Sequence, residues 1–219
     1  RIAYYEKGMA AVEAGQQELL ADVQSAIDNE QFEVWFQPQV NYKKCCIVGV
    51  EALLRWRHPQ KGLISPAEFI PLMEKSGYVG QLDEYVFNKV CDYIKDWKSR
   101  DKNGVTVPVS VNISRRDIYN TDLCERILGI LEKHDVDVSD IRLEITESAY
   151  MDNQKLFLEM INRFRESGFR VEMDDFGSGY SSLNSLKDID IDKLKIDMKF
   201  LVNMCDSKRS EIIISAVIN

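Results

Sequence analysis

Residues that commonly hold zinc or build disulfide frameworks are scarce in this sequence: 5 cysteines and 2 histidines among 219 residues. Cys45, Cys46, Cys91, Cys124 and Cys205 are odd in number and form no Cys-x-x-Cys pair, which argues against both a disulfide scaffold and a structural zinc site. They read as small apolar residues in a reducing compartment, so Cys45, Cys46 and the tryptophans are expected in the core. His58 and His134 stand beside Pro59 and Asp135, in expected loop or helix-end positions without a catalytic role. Glycine and proline number only 11 and 5, and with 45% hydrophobic residues this excludes a disordered or low-complexity chain.

A long apolar run is also missing. Nothing approaches the roughly 18 residues of a membrane helix, and the first thirty residues carry a polar helix pattern rather than a signal peptide. No membrane contact by this stretch and a cytoplasmic location are expected, a membrane anchor being left to upstream segments of a longer chain. Basic excess is absent as well. A net charge of −8 gives no general field for holding DNA by phosphate neutralisation, so any phosphate ligand must be held locally.

At about 150 residues per domain the length suggests one large domain, or one plus a fragment. Val12, Leu19, Leu20, Val23 and Ile27 mark an opening helix. Because the sequence starts at Arg1 within that pattern, residues 1–30 are expected to be a linker helix from an upstream domain, and 31–219 the main domain. Phe32, Val34 and Phe36 then alternate with Glu33, Trp35 and Gln37, a strand that Pro38 is expected to end. A second strand over 47–54 is apolar on both faces except at Glu51, as in a sheet covered on both sides.

Ser65, Pro66 and Glu68 form a capping pattern that opens a helix. Val86, Val90, Ile94 and Trp97 mark the next one. Strands over 107–113, 141–145, 169–173 and 194–196 then alternate with helices over 123–131, around 156–164 and from Ser181, with a last helix over 211–217. Six strands in repeated β-then-α order imply an α/β fold, either an open doubly wound sheet or a (β/α)₈ barrel.

Polar residues interrupt or follow these strands at few places: Glu51, Asn112, Glu144, Asp174 with Asp175, and Lys195. A carboxylate in an apolar strand is costly unless paired or bound to a cation. Four acidic residues and one Asn are oxygen donors, suited to one or two ions such as Mg²⁺, Mn²⁺ or Ca²⁺ at the carboxyl ends of barrel strands. Lys195 can neutralise only one of those charges. Asp188, Asp190, Asp192 and Asp197 alternate with isoleucines and read as a solvated face. The turn Gly177-Ser178-Gly179 lacks the third glycine of a dinucleotide fingerprint and suits a mobile loop beside a metal.

Those residues carry a family resemblance. Glu51-Ala52-Leu53-Leu54-Arg55-Trp56, His58-Pro59, Gly62-Leu63-Ile64-Ser65-Pro66 and Glu68-Phe69-Ile70-Pro71 stand in order after Gln37-Pro38. Val111-Asn112-Ile113-Ser114, Glu144-Ile145-Thr146-Glu147, the run Asp174-Asp175-Phe176-Gly177-Ser178-Gly179-Tyr180 and Leu194-Lys195-Ile196-Asp197 follow. Over about residues 31 to 219 the chain resembles the EAL domain family of cyclic di-GMP phosphodiesterases, with Ser178 where members usually carry Thr.

The resemblance implies a modified (β/α)₈ barrel whose first strand runs antiparallel to the others. It implies that Glu51, Asn112, Glu144 and Asp174 hold one Mg²⁺ or Mn²⁺ ion and that Asp174 and Asp175 contribute to a second, with Ca²⁺ inhibitory. Lys195 matches the lysine that positions the attacking water, Gln37 and Arg55 match contacts to the dinucleotide, and Glu147 matches a glutamate that tethers the Asp-Asp-Phe-Gly loop and couples metal binding to homodimerisation. The implied reaction is hydrolysis of one phosphodiester of cyclic di-GMP to linear pGpG, under an upstream sensor or GGDEF-type domain. The alternative is a receptor that binds the nucleotide without cutting it. A carboxylate-based glycosidase fits poorly, since it needs two facing carboxylates and no Lys-Asn-metal set.

The family's barrel has two further strands, carrying another active-site glutamate and a glutamine, which the sequence does not contain. Were Asn219 the true end, an open, inactive barrel rescued by pairing with another chain at the exposed edge would be expected.

Overall fold

The computed structural model describes residues 7–100, 107–177 and 189–198. These fall into two compact units, one drawn from Arg1–Val109 and Gly129–Val136, the other from Ser110–Leu128 and Asp137–Asn219. The expected helices from Ser181 and over 211–217, and Cys205, lie outside the described residues. No described helix is long and apolar enough to cross a membrane.

The first unit opens with α1 (Lys7–Asp28), followed by β1 (Phe32–Asn41), β2 (Cys46–His58) and β3 (Gly62–Ile64). Both strand pairs are antiparallel, with Phe32 opposite Trp56, Gln37 opposite Glu51, and Trp56 opposite Ile64. β3 was not expected, being a three-residue return strand whose turn ends at Gly62 with φ 73°. β1 also runs past Pro38. The N–H of Val50, opposite Pro38, goes to Pro108 O at 3.0 Å, so this pair exchanges no ladder bonds and the missing proline N–H would have pointed away from β2.

The core of this unit gathers around Trp56, which is fully buried with its ring against Phe32 and Phe69 at centroid distances of 5.0 and 5.7 Å. Val23 and Ala26 of α1 join it, together with Met73, Val79 and Leu82. α2 (Pro66–Ser76) begins as the Ser-Pro signal indicates, Pro66 occupying a first-turn position where its absent N–H costs nothing. The Ser65 side chain makes no cap bond, and Gly77 ends the helix at φ 86° with its N–H on Met73 O. α3 (Val79–Arg100) buries Leu82, Val86, Val90 and Ile94 at helical spacing.

The second unit alternates strand and helix. It contains the greater part of β4 (Val109–Asn112), then β5 (Ile141–Thr146), α5 (Glu147–Asp152), α6 (Gln154–Glu166), β6 (Arg170–Phe176) and β7 (Lys193–Ile196). α4 (Leu123–His134) begins here and its residues from Gly129 belong to the first unit. β5, β6 and β7 are parallel neighbours, with Glu144, Glu172 and Lys193 in one row across them. Ile113 N–H donates to Glu144 O at 2.8 Å beside β4.

α6 buries Phe157, Met160, Ile161 and Phe164, and its N-cap Asn153 accepts from Leu156 N–H. Gly168, at φ 93°, turns the chain into β6. Asp190 and Asp192 are exposed as expected, and both pair with Arg165, at 2.8 and 2.6 Å.

Two core expectations fail. Cys45 is exposed in the β1–β2 turn, where it adopts φ 49°, and Cys46 is exposed at the start of β2. Trp35 is 46% exposed on the face of β1 opposite to buried Phe32 and Val34, the consequence of its even-odd position in the strand. Both histidines are structural. His58, at the end of β2, is buried, lies 3.1 Å from Asp22 Oδ2 through Nε2, and accepts from Gln60 and Lys61 N–H through Nδ1. His134 ends α4, 3.1 Å from Asp92 and 3.0 Å from Asn88.

Candidate active site

In the second unit, β5 to β7 carry polar residues at alternate positions, which the pleat places on one face: Arg142 and Glu144, Glu172 and Asp174, Lys193 and Lys195. Ser110 and Asn112 repeat the spacing on β4. The level nearer the carboxyl ends holds Glu144, Asp174 and Lys195. Lys195 Nζ donates to Glu144 Oε2 at 2.9 Å and to Asp174 Oδ2 at 3.1 Å. Oxygens of the two carboxylates approach within 4.8 Å. Glu144 is fully buried. Asn112, at the end of β4, is exposed.

Asp174 and Asp175 do not follow the strand, as the sequence suggests, but continue it to Phe176. Met173 faces Leu194 and Phe176 faces Ile196, so two residues, Asp174 and Asp175, oppose the single Lys195. This is a bulge, the usual device for re-aiming side chains beside a site. Asp175 takes φ 57°, which Asp tolerates better than most residues, and its N–H donates to Asp174 Oδ1 at 2.8 Å. Beyond the bulge, Gly177 N–H donates to buried Glu147 Oε2 at 2.7 Å. Ser178 and Gly179 lie outside the described residues.

The lower level was missed by reading the strands one at a time. Glu172 is 1% exposed and accepts from Ser110 Oγ at 3.0 Å, Arg142 Nη1 at 3.3 Å and Lys193 Nζ at 3.2 Å. Burial pushes its carboxyl upward, but the Lys193 charge and the hydrogen bonds around it outweigh this and hold it below the usual carboxylate value. The period-two spacing of charged residues was the signal that could have found it.

The remaining expected residues sit in the first unit. Gln37 and Glu51 are direct cross-strand partners, and alternation puts Trp35, Leu53 and Arg55 on the same face. Glu51 is half-buried, while the Arg55 guanidinium lies 5.6 Å above the Trp35 ring.

Glu144 and Asp174 meet the requirements of a hard divalent cation: oxygen donors only, one of them fully buried, at strand ends. Chemically such a group can bind a cation and hold a water or phosphate oxygen beside the Lys195 ammonium.

Known proteins are similar to this chain in sequence and fold. The chain is 34% identical over 215 residues to the bifunctional diguanylate cyclase/cyclic di-GMP phosphodiesterase MucR of Pseudomonas aeruginosa, covering 98% of the chain and 31% of MucR. It is 32% identical over 197 residues to the cyclic di-GMP phosphodiesterase PdeR of Escherichia coli, covering 90% of the chain and 29% of PdeR. The chain thus spans about a third of the length of these curated relatives. The solved PaMucR phosphodiesterase in complex with c-di-GMP superposes with TM-score 0.81 at 34% identity, covering 91% of the chain and 80% of that structure. The fold class is therefore the α/β, (β/α)₈ type expected, and β1 is antiparallel to its neighbour, the modification the resemblance implies. With the EAL domain family model matching residues 20–219, the chain belongs to the EAL domain family.

Proposed function

We propose that the chain is the phosphodiesterase domain of a longer signalling protein and hydrolyses one phosphodiester of cyclic di-GMP to linear pGpG. The observation that carries this reading is the buried Glu144 and the Asp174 carboxylate sharing the Lys195 ammonium at the carboxyl ends of adjacent parallel strands. Relatives named as cyclic di-GMP phosphodiesterases, and the c-di-GMP complex of PaMucR, supply the substrate.

In this reading Glu51, Asn112, Glu144 and Asp174 hold a Mg²⁺ or Mn²⁺ ion, and Asp174 and Asp175 contribute to a second. The chemistry supplied by such cations is a lowered pKa for a bound water and neutralisation of charge on the leaving oxygen. Lys195 holds the attacking water in line with the phosphorus and adds a positive charge where negative charge develops. Arg55, whose fork fits phosphate oxygens, and Gln37 orient the dinucleotide. Glu147 fastens the end of β6 and couples the site to a homodimer contact.

An upstream sensor or GGDEF-type domain supplies the input signal, in keeping with MucR being named a bifunctional diguanylate cyclase/cyclic di-GMP phosphodiesterase. The described cysteines are all free, which suits the reducing cytoplasm.

The test is to incubate the full-length protein with cyclic di-GMP and Mg²⁺, Mn²⁺, Ca²⁺ or chelator, and to separate the products. Linear pGpG with Mg²⁺ or Mn²⁺ alone is expected. Tight binding without cleavage in every metal makes the protein a receptor, and the absence of both overturns the reading.

A further inference from the structure

Beside Glu144 in the same row, and two residues before Asp174, Glu172 forms a second charge cluster to which the family signature gives no role. The β5 to β7 register places Glu144, Glu172 and Lys193 side by side on one face. Two buried carboxyl groups on neighbouring strands are costly, and Arg142, Lys193 and Lys195 of the same strands pair with them. Lys195 takes Glu144 and Asp174, while Arg142 and Lys193 take Glu172. A divalent ion entering beside Glu144 and Asp174 therefore finds Arg142 and Lys193 already paired while Glu172 carries its charge.

We infer that Glu172 is a positioning residue for the metal site, keeping Arg142 and Lys193 paired with itself so that they do not compete with the divalent cation for Glu144 and Asp174. This rests on the proposed metal-dependent reading and adds a residue to it. Without the Glu172 charge, the next carboxylate along the row from Lys193 is Glu144, one strand away, for a lysine whose side chain is 37% exposed. Ser110, whose hydroxyl donates to Glu172, fixes the carboxylate toward β4 and completes the arrangement.

The opposite signs expected for the two partners distinguish this role from simple structural support. In the full-length protein, Mn²⁺ binding is titrated directly, counting the site that Glu144→Gln removes. Glu172→Gln is expected to weaken Mn²⁺ by about tenfold or more, the range of an outer-layer change at a metal site. Lys193→Met is expected to leave affinity unchanged or tighten it, and the double variant to return within about twofold of wild type by restoring the charge balance.

Weakening by both single substitutions, or a double variant no better than Glu172→Gln, overturns the inference by making Glu172 a ligand or a packing residue. If Glu172→Gln does not fold, Lys193→Met decides through its sign: retained or tighter binding supports the inference and weaker binding overturns it. A wild type that binds no Mn²⁺ at the Glu144 site overturns the metal-dependent reading itself, and this inference with it. Wild-type binding with unaltered variants removes this inference alone.

Discussion

The Glu147 carboxylate accepts the Gly177 N–H at 2.7 Å, joining the residue that follows β5 to the residue that follows β6. Asp174 and Asp175 lie between Glu172 and this fastening point, so the bond fixes the far side of the bulge that carries both aspartates. Glu147→Ala leaves the part-buried Gly177 N–H without its acceptor, at a cost of about 1 kcal/mol. Turnover should drop by roughly 10–100-fold, as for other residues that orient metal ligands. Glu147→Gln keeps an accepting oxygen and should recover most of the loss. Equal damage by both substitutions, measured as turnover beside thermal melts, would show that the charge rather than the tether matters.

Lys195→Met should separate binding from chemistry. A thioether chain of similar length fills the space between Glu144 and Asp174 but can neither hold a water nor donate a proton. Turnover is expected to fall by at least about 10²-fold, the usual scale for a lost proton-handling group. Mn²⁺ binding and nucleotide affinity measured in Ca²⁺ should persist. If calcium-supported affinity disappears along with turnover, Lys195 is a substrate-binding residue.

Much of this was legible because period and punctuation are local. The 3.6-residue spacing of Val86, Val90 and Ile94, the Ser-Pro start at Pro66 and the Gly168 stop place their helices correctly. The carboxylates in strands stood out because charge in an apolar run is costly. What was not legible depends on partners across strands. Pro38 continues β1 because its neighbour Val50 sends its N–H elsewhere, a fact that exists only in the paired sheet. The Asp174-Asp175 bulge depends on the register with β7. Glu172 becomes conspicuous only when rows from β4 to β7 are aligned, since by itself it reads as one more polar residue near a strand start.

Acid should erase the contribution of Glu172 to stability. Its carboxyl is held below the ordinary 4.5, chiefly by Lys193 working against burial. A carboxyl depressed in the folded state stabilises the protein above its unfolded pKa, and that contribution fades as pH falls through the folded value. Compared in chelator by denaturant titration, wild type should exceed Glu172→Gln by about 1–3 kcal/mol at neutral pH. The gap should hold down to pH 4.5 and close below it, where both side chains are neutral. A gap that is constant from neutral pH into acid would assign the effect to packing.

Glu51→Ala should abolish hydrolysis while sparing the fold. Glu51 is a half-buried carboxylate on β2, directly opposite Gln37, and in the proposed ligand set its charge adds to like charges whose crowding costs stability until a cation binds. Removing the charge takes that cost away, so in chelator the variant should melt at the wild-type temperature or above it. Metal reverses the order. Excess Mn²⁺ stabilises the wild type by mass action, by about 2.7 kcal/mol at a concentration 100 times the dissociation constant, whereas the variant, with one ligand fewer, should gain much less. Two melts per protein, with and without Mn²⁺, together with product analysis, check all three expectations. Near-normal turnover by Glu51→Ala, or an equal metal-induced shift in both proteins, would remove Glu51 from the ligand set and leave its place in the strand without a chemical reason.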